Sequence, residues 1–124
     1  MTDHRDGWPR TYILVGHMPV AVDMMTWAQS LGRNEARVVA QTTINDRCWV
    51  STVFLGLDHN HSRRGGEPIL FETMVFGGPL DGEMMRYATW DQAERGHAEM
   101  LTEVRKAVAQ VDILARDAKA DHTG

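Results

Sequence analysis

The sequence predicts an α+β fold: an antiparallel sheet with one short helix and one long C-terminal helix. Three observations support this prediction. Short apolar runs separated by turn-forming residues fill positions 11–78, Asp23 is a good N-cap for a brief amphipathic segment, and the last third of the chain keeps a helical apolar repeat. The 124 residues, 43% hydrophobic and 24% charged, suit one domain that spans residues 1–124.

The first elements are a hairpin and a helix. In TYILVGHMPVAV, apolar residues alternate on both sides of Gly16-His17, which predicts a β-hairpin. In DMMTWAQSLGRN, Met24, Trp27 and Leu31 share one side of a helix that ends near Gly32. Residues 1–10 are polar, and we expect them to be flexible.

Three strand-like runs follow and predict an antiparallel meander. They are ARVVAQTTI, RCWVSTVFLGL and PILFETMVFGG, the first two joined by an Asn45-Asp46 turn. The second and third runs place bulky residues on both faces of the sheet, so both faces should be covered. The predicted helices are sufficient to cover one face.

The long helix is expected to begin near Thr89, where Gln92 completes a capping box. A heptad repeat then joins seven residues: His97, Leu101, Val104, Val108, Val111, Ala115 and Ala118. A helix from Trp90 to about Ala118 would be roughly 40 Å long, more than the width of such a domain, so we expect a homo-oligomer through this helix. In the alternative, the stripe packs on the sheet and the tail, residues 119–124, frays.

Charge and composition narrow the functional class. The net charge is −4, with the acidic excess in the C-terminal half, and no basic stripe is present, which argues against general nucleic-acid binding. A small anion needs only a local cluster of cations. The polar N-terminus, the lack of a long apolar segment and the single cysteine, Cys48, predict a cytoplasmic protein without a membrane partner.

The loop LDHNHSRRGGEP is the candidate ligand site. Asp58, His59 and His61 follow the end of a strand, and Arg63 and Arg64 precede a Gly-Gly pair whose amides can form a nest. Arginine binds phosphate in a bidentate manner and histidine adds a donor, so the loop is expected to bind an anion. The alternative is a solvated hairpin loop.

The same residues allow a metal site. His59 and His61 project to one side of an extended backbone, and Asp58, Glu72 or His97 would complete the ligand set. No H-E-x-x-H or paired C-x-x-C motif accompanies them, so we expect no metal, no cofactor and no catalytic residue.

Two further residues are assigned to the ligand site. Glu72 interrupts ILFETMVF, where a carboxylate needs a partner, and a hairpin centred on the loop places it near Val53. Trp90 begins the long helix, where its ring can stack on a base beside an N-terminus that favours anions. In the alternatives, Glu72 points to solvent and Trp90 belongs to the core.

Three segments, VSTVFLGLDHN, ILFETMVFGG and RYATWDQAERGH, resemble a family of small phage- and prophage-encoded proteins. The resemblance covers about Tyr12 to Val104. It implies a phage context and the host cytosol, and it brings no established activity, fold or ligand.

The expected function is non-enzymatic binding of a small anionic ligand, such as a nucleotide signal of host defence. One alternative is a metal-dependent phosphoesterase that uses His59, His61, Asp58 and Glu72. The other is an inhibitor that contacts a host protein through an exposed apolar surface.

Overall fold

A computed structural model describes residues 10–32, 37–60 and 66–122, the last three as backbone alone. The elements in chain order are β1 (Thr11–Val15), β2 (Met18–Val22), α1 (Met24–Ser30), β3 (Val38–Asn45), β4 (Cys48–Phe54), β5 (Phe71–Phe76), β6 (Met84–Tyr87) and α2 (Trp90–His122). The predicted α+β class with antiparallel strands is confirmed. The flexible segment assigned to residues 1–10 lies, except for Arg10, outside the described residues.

The N-terminal hairpin forms where the sequence predicts it. β1 pairs with β2 as a separate two-stranded sheet, and Gly16 makes the turn with a φ of +62°. The hairpin attaches to the chain just after β4, where the Tyr12 amide donates to the carbonyl of Gly56 at 2.8 Å. Its position therefore depends on the segment that leads into the candidate loop.

Helix α1 has the predicted N-cap but not the predicted buried side. Asp23 Oδ1 accepts from the Thr26 amide at 2.8 Å, whereas Met24 is 70% exposed and α1 contains no buried residue. The helix has two turns and contacts mainly β1, and its Trp27 ring also reaches the segment after β4. The indole lies so close to Gly56 that a Cβ there would be 2.7 Å from Trp27 Nε1.

The main sheet has four strands in the order β3-β4-β5-β6. The predicted three-strand meander is present, and Val53 lies opposite Glu72 as the sequence predicts. β6 is an additional strand that the sequence pattern did not predict, between the PILFETMVFGG run and the long helix. It has only four residues, and a turn closed by Gly77 N–H to Asp81 Oδ1 at 2.7 Å brings it beside β5.

Helix α2 begins with the predicted capping box. The Gln92 amide donates to Thr89 Oγ1 at 3.1 Å, and Gln92 Oε1 accepts from the Ala88 and Thr89 amides. The helix continues for 33 residues to His122, past the predicted end near Ala118, and is about 50 Å long. None of the helices in the described part of the chain is both long and apolar enough to span a membrane.

Side chains alternate between two faces of the main sheet. The inner face packs against α2 and contains Val50, Thr52, Phe54, Phe71, Thr73 and Val75; the outer face contains Trp49, Ser51, Val53, Glu72, Met74 and Phe76. Two buried apolar clusters occupy the inner face, one around Val50, Val75 and Val104 and the other around Phe54 and Phe71. A polar layer of threonines and His97 separates them.

Candidate functional site

The base of the candidate loop is held by Asp58. Its Oδ1 accepts from the Asn60 amide at 2.8 Å and from the Ile69 amide at 3.0 Å, which joins the two ends of the loop. The His59 amide also donates to the Ile69 carbonyl at 2.9 Å. Asp58 therefore caps the turn at the base of the loop, and its role toward a ligand stays a prediction.

The basic residues in the middle of the candidate loop are outside the part of the chain that the structure describes: His61, Arg63 and Arg64. Their proposed contacts with an anion therefore stay predictions. On the described side of the loop, Asn60 Nδ2 donates to the Glu67 carbonyl at 2.8 Å, which ties residue 60 to the returning strand.

Glu72 lies on the outer face with a partner, as the sequence predicts. Its side chain is 15% exposed, and Oε2 accepts from Arg86 Nε at 3.0 Å. This ion pair joins β5 to β6, at a register position where Glu72 and Arg86 are directly opposite. The positive charge of Arg86 on β6 therefore already compensates the negative charge of Glu72.

Trp90 lies on the opposite side of the sheet from Glu72. His17 at the hairpin turn stacks on its ring at a centroid distance of 3.8 Å, Phe71 meets it edge-on, and its Nε1 donates to Glu94. A ligand that stacks on the same side of the indole must displace His17. The described candidate residues thus do not converge: Glu72 is on the outer face and Trp90 is beside the inner face.

A cleft that no sequence pattern indicated lies between α1, β1 and the end of β4. Its volume is about 260 Å³, and its walls include three aromatic residues, Tyr12, Trp27 and Phe54. Thr26, Gln29, Ser30 and Gly56 add polar groups and backbone. Gly56 lies two residues before Asp58, so the cleft adjoins the start of the predicted ligand loop.

Arg37 is the charged residue among those that line this cleft. Its Nε donates to the Phe54 carbonyl at 3.2 Å and its Nη2 to the Leu55 carbonyl at 2.8 Å, so the guanidinium is held against the chain after β4. A guanidinium has five N–H donors, which leaves three for other acceptors. Among the described residues, no carboxylate forms an ion pair with Arg37, and its side chain is only partly exposed.

Two aromatic residues of the cleft, Trp27 and Tyr12, carry an N–H or O–H group that can donate a hydrogen bond. Trp27 Nε1 makes no hydrogen bond within the described structure. Burial, with a further contribution from the negative charge of Asp58, raises the pKa of Tyr12, so its phenol stays protonated at neutral pH. A cleft that contains a partly buried cation and such donors favours an acceptor-rich, negatively charged ligand.

His97 belongs to a closed polar layer inside the core. Its Nδ1 is 2.7 Å from Thr52 Oγ1, its Nε2 is 2.9 Å from Thr42 Oγ1, and Thr52 Oγ1 is 2.5 Å from Thr73 Oγ1. Burial lowers the pKa of His97, which keeps the imidazole neutral. Thr52 and Thr73 are fully buried, so the layer fixes α2 on the sheet and is closed to a ligand.

The metal hypothesis gains no additional ligands from the described residues. Across residues 10–32, 37–60 and 66–122, no group of three or more histidine, cysteine, aspartate or glutamate side chains is arranged to hold a metal ion. His97 is bonded to two threonines, and Glu72 is paired with Arg86. A site built on Asp58, His59 and His61 depends on a residue outside this description and stays a prediction.

The sequence contained only a weak signal for the cleft. Arg37 precedes an apolar strand, a position at which arginine is common, and Trp27 and Gly56 are far apart in the chain. Only the docking of the hairpin beside residues 56–58 brings them together. Comparisons of the chain with protein-family models, with curated proteins and with solved structures found no match.

Proposed function

We propose that the protein binds a small anionic ligand in the cleft lined by Tyr12, Trp27 and Arg37. The main support for this proposal is the partly buried Arg37 guanidinium. It has three remaining N–H donors and no ion-pair partner among the described residues. A cation in this setting stabilises a phosphate or carboxylate group, because the surrounding apolar walls reduce screening by water. Aromatic side chains supply contact area for the rest of the ligand.

The volume of the cleft limits the ligand. Pockets that enclose a drug-sized molecule have volumes of roughly 300–1,000 Å³, and this cleft, at about 260 Å³, is below that range. A ligand of mononucleotide size or smaller therefore suits it best, and a larger nucleotide would extend toward the Asp58 loop. The phage context from the three resembling segments supports sequestration of a nucleotide signal of host defence in the host cytosol as the biological role.

The proposed action is binding without a reaction, and the proposed partners are this ligand and a second copy of the chain through α2. The phosphoesterase alternative needs Asp58 as a metal ligand, although its Oδ1 already accepts from two backbone amides. Inhibition of a host protein by direct contact is the second candidate. It is favoured by the outer face, where Trp49 and Phe76 stack and are 45% and 39% exposed.

The test compares the affinity of the parent chain and of Arg37→Met for inorganic phosphate, nucleoside monophosphates and cyclic nucleotides by calorimetry. A charge-assisted hydrogen bond contributes roughly 1.5–3 kcal/mol, so we expect Arg37→Met to weaken binding about 10-fold or more. Arg47→Met is the matched control, because Arg47 lies at the β3–β4 turn outside the cleft. The double variant Arg63→Ala, Arg64→Ala measures how much the candidate loop contributes to ligand affinity.

Denaturing the loaded protein and analysing the released compound separates the three functions. An intact compound means binding, an altered compound means catalysis, and no uptake of any compound favours the protein partner. Because Arg37 also bonds two carbonyls, Trp27→Leu serves as a second variant if Arg37→Met unfolds. Equal affinity in parent, Arg37→Met and Trp27→Leu would place the ligand outside the cleft and contradict the proposal.

A further inference from the structure

A second cleft lies at the opposite end of β4 from the cleft that Arg37 lines, which we call the Arg37 cleft. The second cleft has a volume of about 440 Å³ and lies where α2 leaves the sheet, beside the β3–β4 and β5–β6 turns. The seven residues of β4 separate the two clefts by roughly 20 Å of extended strand. Pockets that enclose small ligands have volumes of roughly 300–1,000 Å³. The second cleft is therefore large enough to hold a ligand of its own.

The walls of the second cleft are partly apolar. Val108 and Val111 line it from α2, and Pro79 lines it from the β5–β6 turn. Val108 packs against the buried cluster around Val50, whereas Val111, about one helical turn further along α2, is 48% exposed. The apolar stripe of α2 thus becomes exposed at this cleft. An aliphatic group that enters the cleft removes these side chains from water, which stabilises the bound state.

Charged groups of both signs line the same cleft. Asp46 and Arg47 come from the β3–β4 turn, and Asp112 comes from α2. Within the part of the chain that the structure describes, none of these three side chains forms an ion pair. The turn has a defined shape, because the Arg47 amide donates to Asn45 Oδ1 at 2.8 Å. Gly77 packs so closely against the Arg47 carbonyl that a Cβ at this position would overlap with it.

The combination of charges selects the class of ligand. A simple anion would pair with Arg47 but would also meet the carboxylates of Asp46 and Asp112, and a simple cation would meet the Arg47 guanidinium. A zwitterion satisfies both signs. Its carboxylate accepts from the guanidinium in a bidentate manner, and its ammonium donates to Asp112, which is on a different wall of the cleft from Arg47. An aliphatic part of the same ligand then lies against the two valines of α2.

We propose that the second cleft binds a zwitterionic ligand with an aliphatic side chain, an α-amino acid or a dipeptide. Arg47 holds the carboxylate, Asp112 holds the ammonium, and Val108 and Val111 contact the side chain. This site is independent of the anion site proposed for the Arg37 cleft, since the two clefts share no lining residue. Arg47 and Asp112 are exposed, so each charged contact is screened by water and we expect an affinity in the millimolar range.

NMR titration of the isotope-labelled full-length chain with L-leucine tests the proposal. We expect saturable shifts of the backbone amides of Gly78, Val111 and Asp112. L-leucinamide lacks the carboxylate and isocaproate lacks the ammonium, so each should bind about 2- to 5-fold more weakly than leucine. Leucyl-leucine carries the same charges further apart. Tighter binding of leucine assigns the cleft to free amino acids, and tighter binding of leucyl-leucine assigns it to peptides; either result supports a zwitterion site.

Two variants assign the charged contacts. Arg47→Met and Asp112→Asn should each weaken leucine binding about 2- to 5-fold. Arg47→Met should also make leucine and leucinamide bind equally, because the variant has lost the partner of the carboxylate. Asp112→Asn should do the same for leucine and isocaproate. Arg105→Met and Asp117→Asn are the matched controls: both residues are exposed on α2 outside the cleft, and these variants should bind leucine like the parent.

Three results overturn the proposal. The first is the absence of saturable shifts at the cleft amides, and the second is equal binding of leucine, leucinamide and isocaproate by the parent. The third is a set of shifts that follow the protein concentration rather than the leucine concentration, which would show that a second copy occupies the cleft. Arg47→Met is also titrated with nucleoside monophosphates. An unchanged affinity for these, beside weakened leucine binding, separates this site from the Arg37 cleft, so the two proposals fail independently.

Discussion

The two faces of the four-stranded sheet are built from the same strands but have different surroundings. On the inner face, α2 buries Val50, Phe71 and Val75 almost completely. On the outer face, Trp49 and Phe76 stack at a centroid distance of 5.1 Å and stay partly exposed. Bulky residues on both faces predicted that a further element would cover each face. In the described part of the chain, α2 covers the inner face and no element covers Trp49 and Phe76 on the outer face completely.

The polar groups of the two faces also differ in how they are satisfied. Inside, His97 and three threonines form a closed layer between two apolar clusters. Outside, the polar groups pair across strands, Glu72 with Arg86 and Gln41 with Ser51. From this difference we expect the inner face to specify how α2 docks. We expect the outer face, where the charges of Glu72 and Arg86 compensate each other, to add less to stability.

The largest expected effect comes from phenylalanines at the two ends of β5. Phe71→Ala should lower the free energy of unfolding by about 3–5 kcal/mol, because it empties a fully buried site. Phe76→Ala should cost about 1 kcal/mol, the size of an exposed aromatic pair. Urea denaturation measures both, and Phe71→Leu replaces the first variant if that chain does not fold. Equal losses for Phe71→Ala and Phe76→Ala would refute the contrast between the faces.

A smaller effect concerns pH and the inner polar layer. Burial lowers the pKa of His97 in the folded chain below its usual 6.5, so below pH 6.5 the unfolded chain binds a proton that the folded chain does not. Stability is therefore complete above pH 6.5 and should fall toward pH 5 by up to about 1.4 kcal/mol per pH unit.

His97→Gln should remove this dependence in thermal denaturation between pH 7 and 5, since the amide keeps hydrogen-bonding groups but does not titrate. His17→Gln, at the hairpin turn, is the control and should retain the parent slope. The same slope in the parent and in His97→Gln would show that another group is responsible.

The smallest expected effect is the coupling between Glu72 and Arg86. A double-mutant cycle of Glu72→Ala and Arg86→Ala should give a coupling energy of about 0.5–1 kcal/mol, because Arg86 is well solvated. Added salt should reduce it. A coupling several times larger would mean that the outer face is covered in solution, which would make the two faces more alike than the structure shows.

Local patterns predicted most elements of the fold but not every strand. The capping box at Thr89 and Gln92, the Asp23 N-cap and the hairpin turn at Gly16 depend on neighbouring residues, so the sequence locates them. β6 was missed because four residues carry too little pattern, and its place beside β5 depends on the preceding turn. The exposure of Met24 was missed because helical spacing does not show whether a second surface is present.

In the candidate site, too, some features could be predicted from the sequence and others could not. The partner of Glu72 was expected from the cost of burying a carboxylate, although its identity, Arg86, required the unpredicted strand β6. The Arg37 cleft was not expected, since its walls come from four segments that are separate in the chain.

The sequence by itself determined the class of fold, the helix caps, the β4–β5 register and the length of the apolar stripe on α2. These features follow from interactions between residues close in the chain or from the periodicity of one element. Only the tertiary structure decided which sheet face α2 covers, where the stripe becomes exposed, and that Arg37 lies among aromatic rings. Each of these depends on how separate elements dock, and docking is set by shape and burial across the whole chain rather than by local spacing.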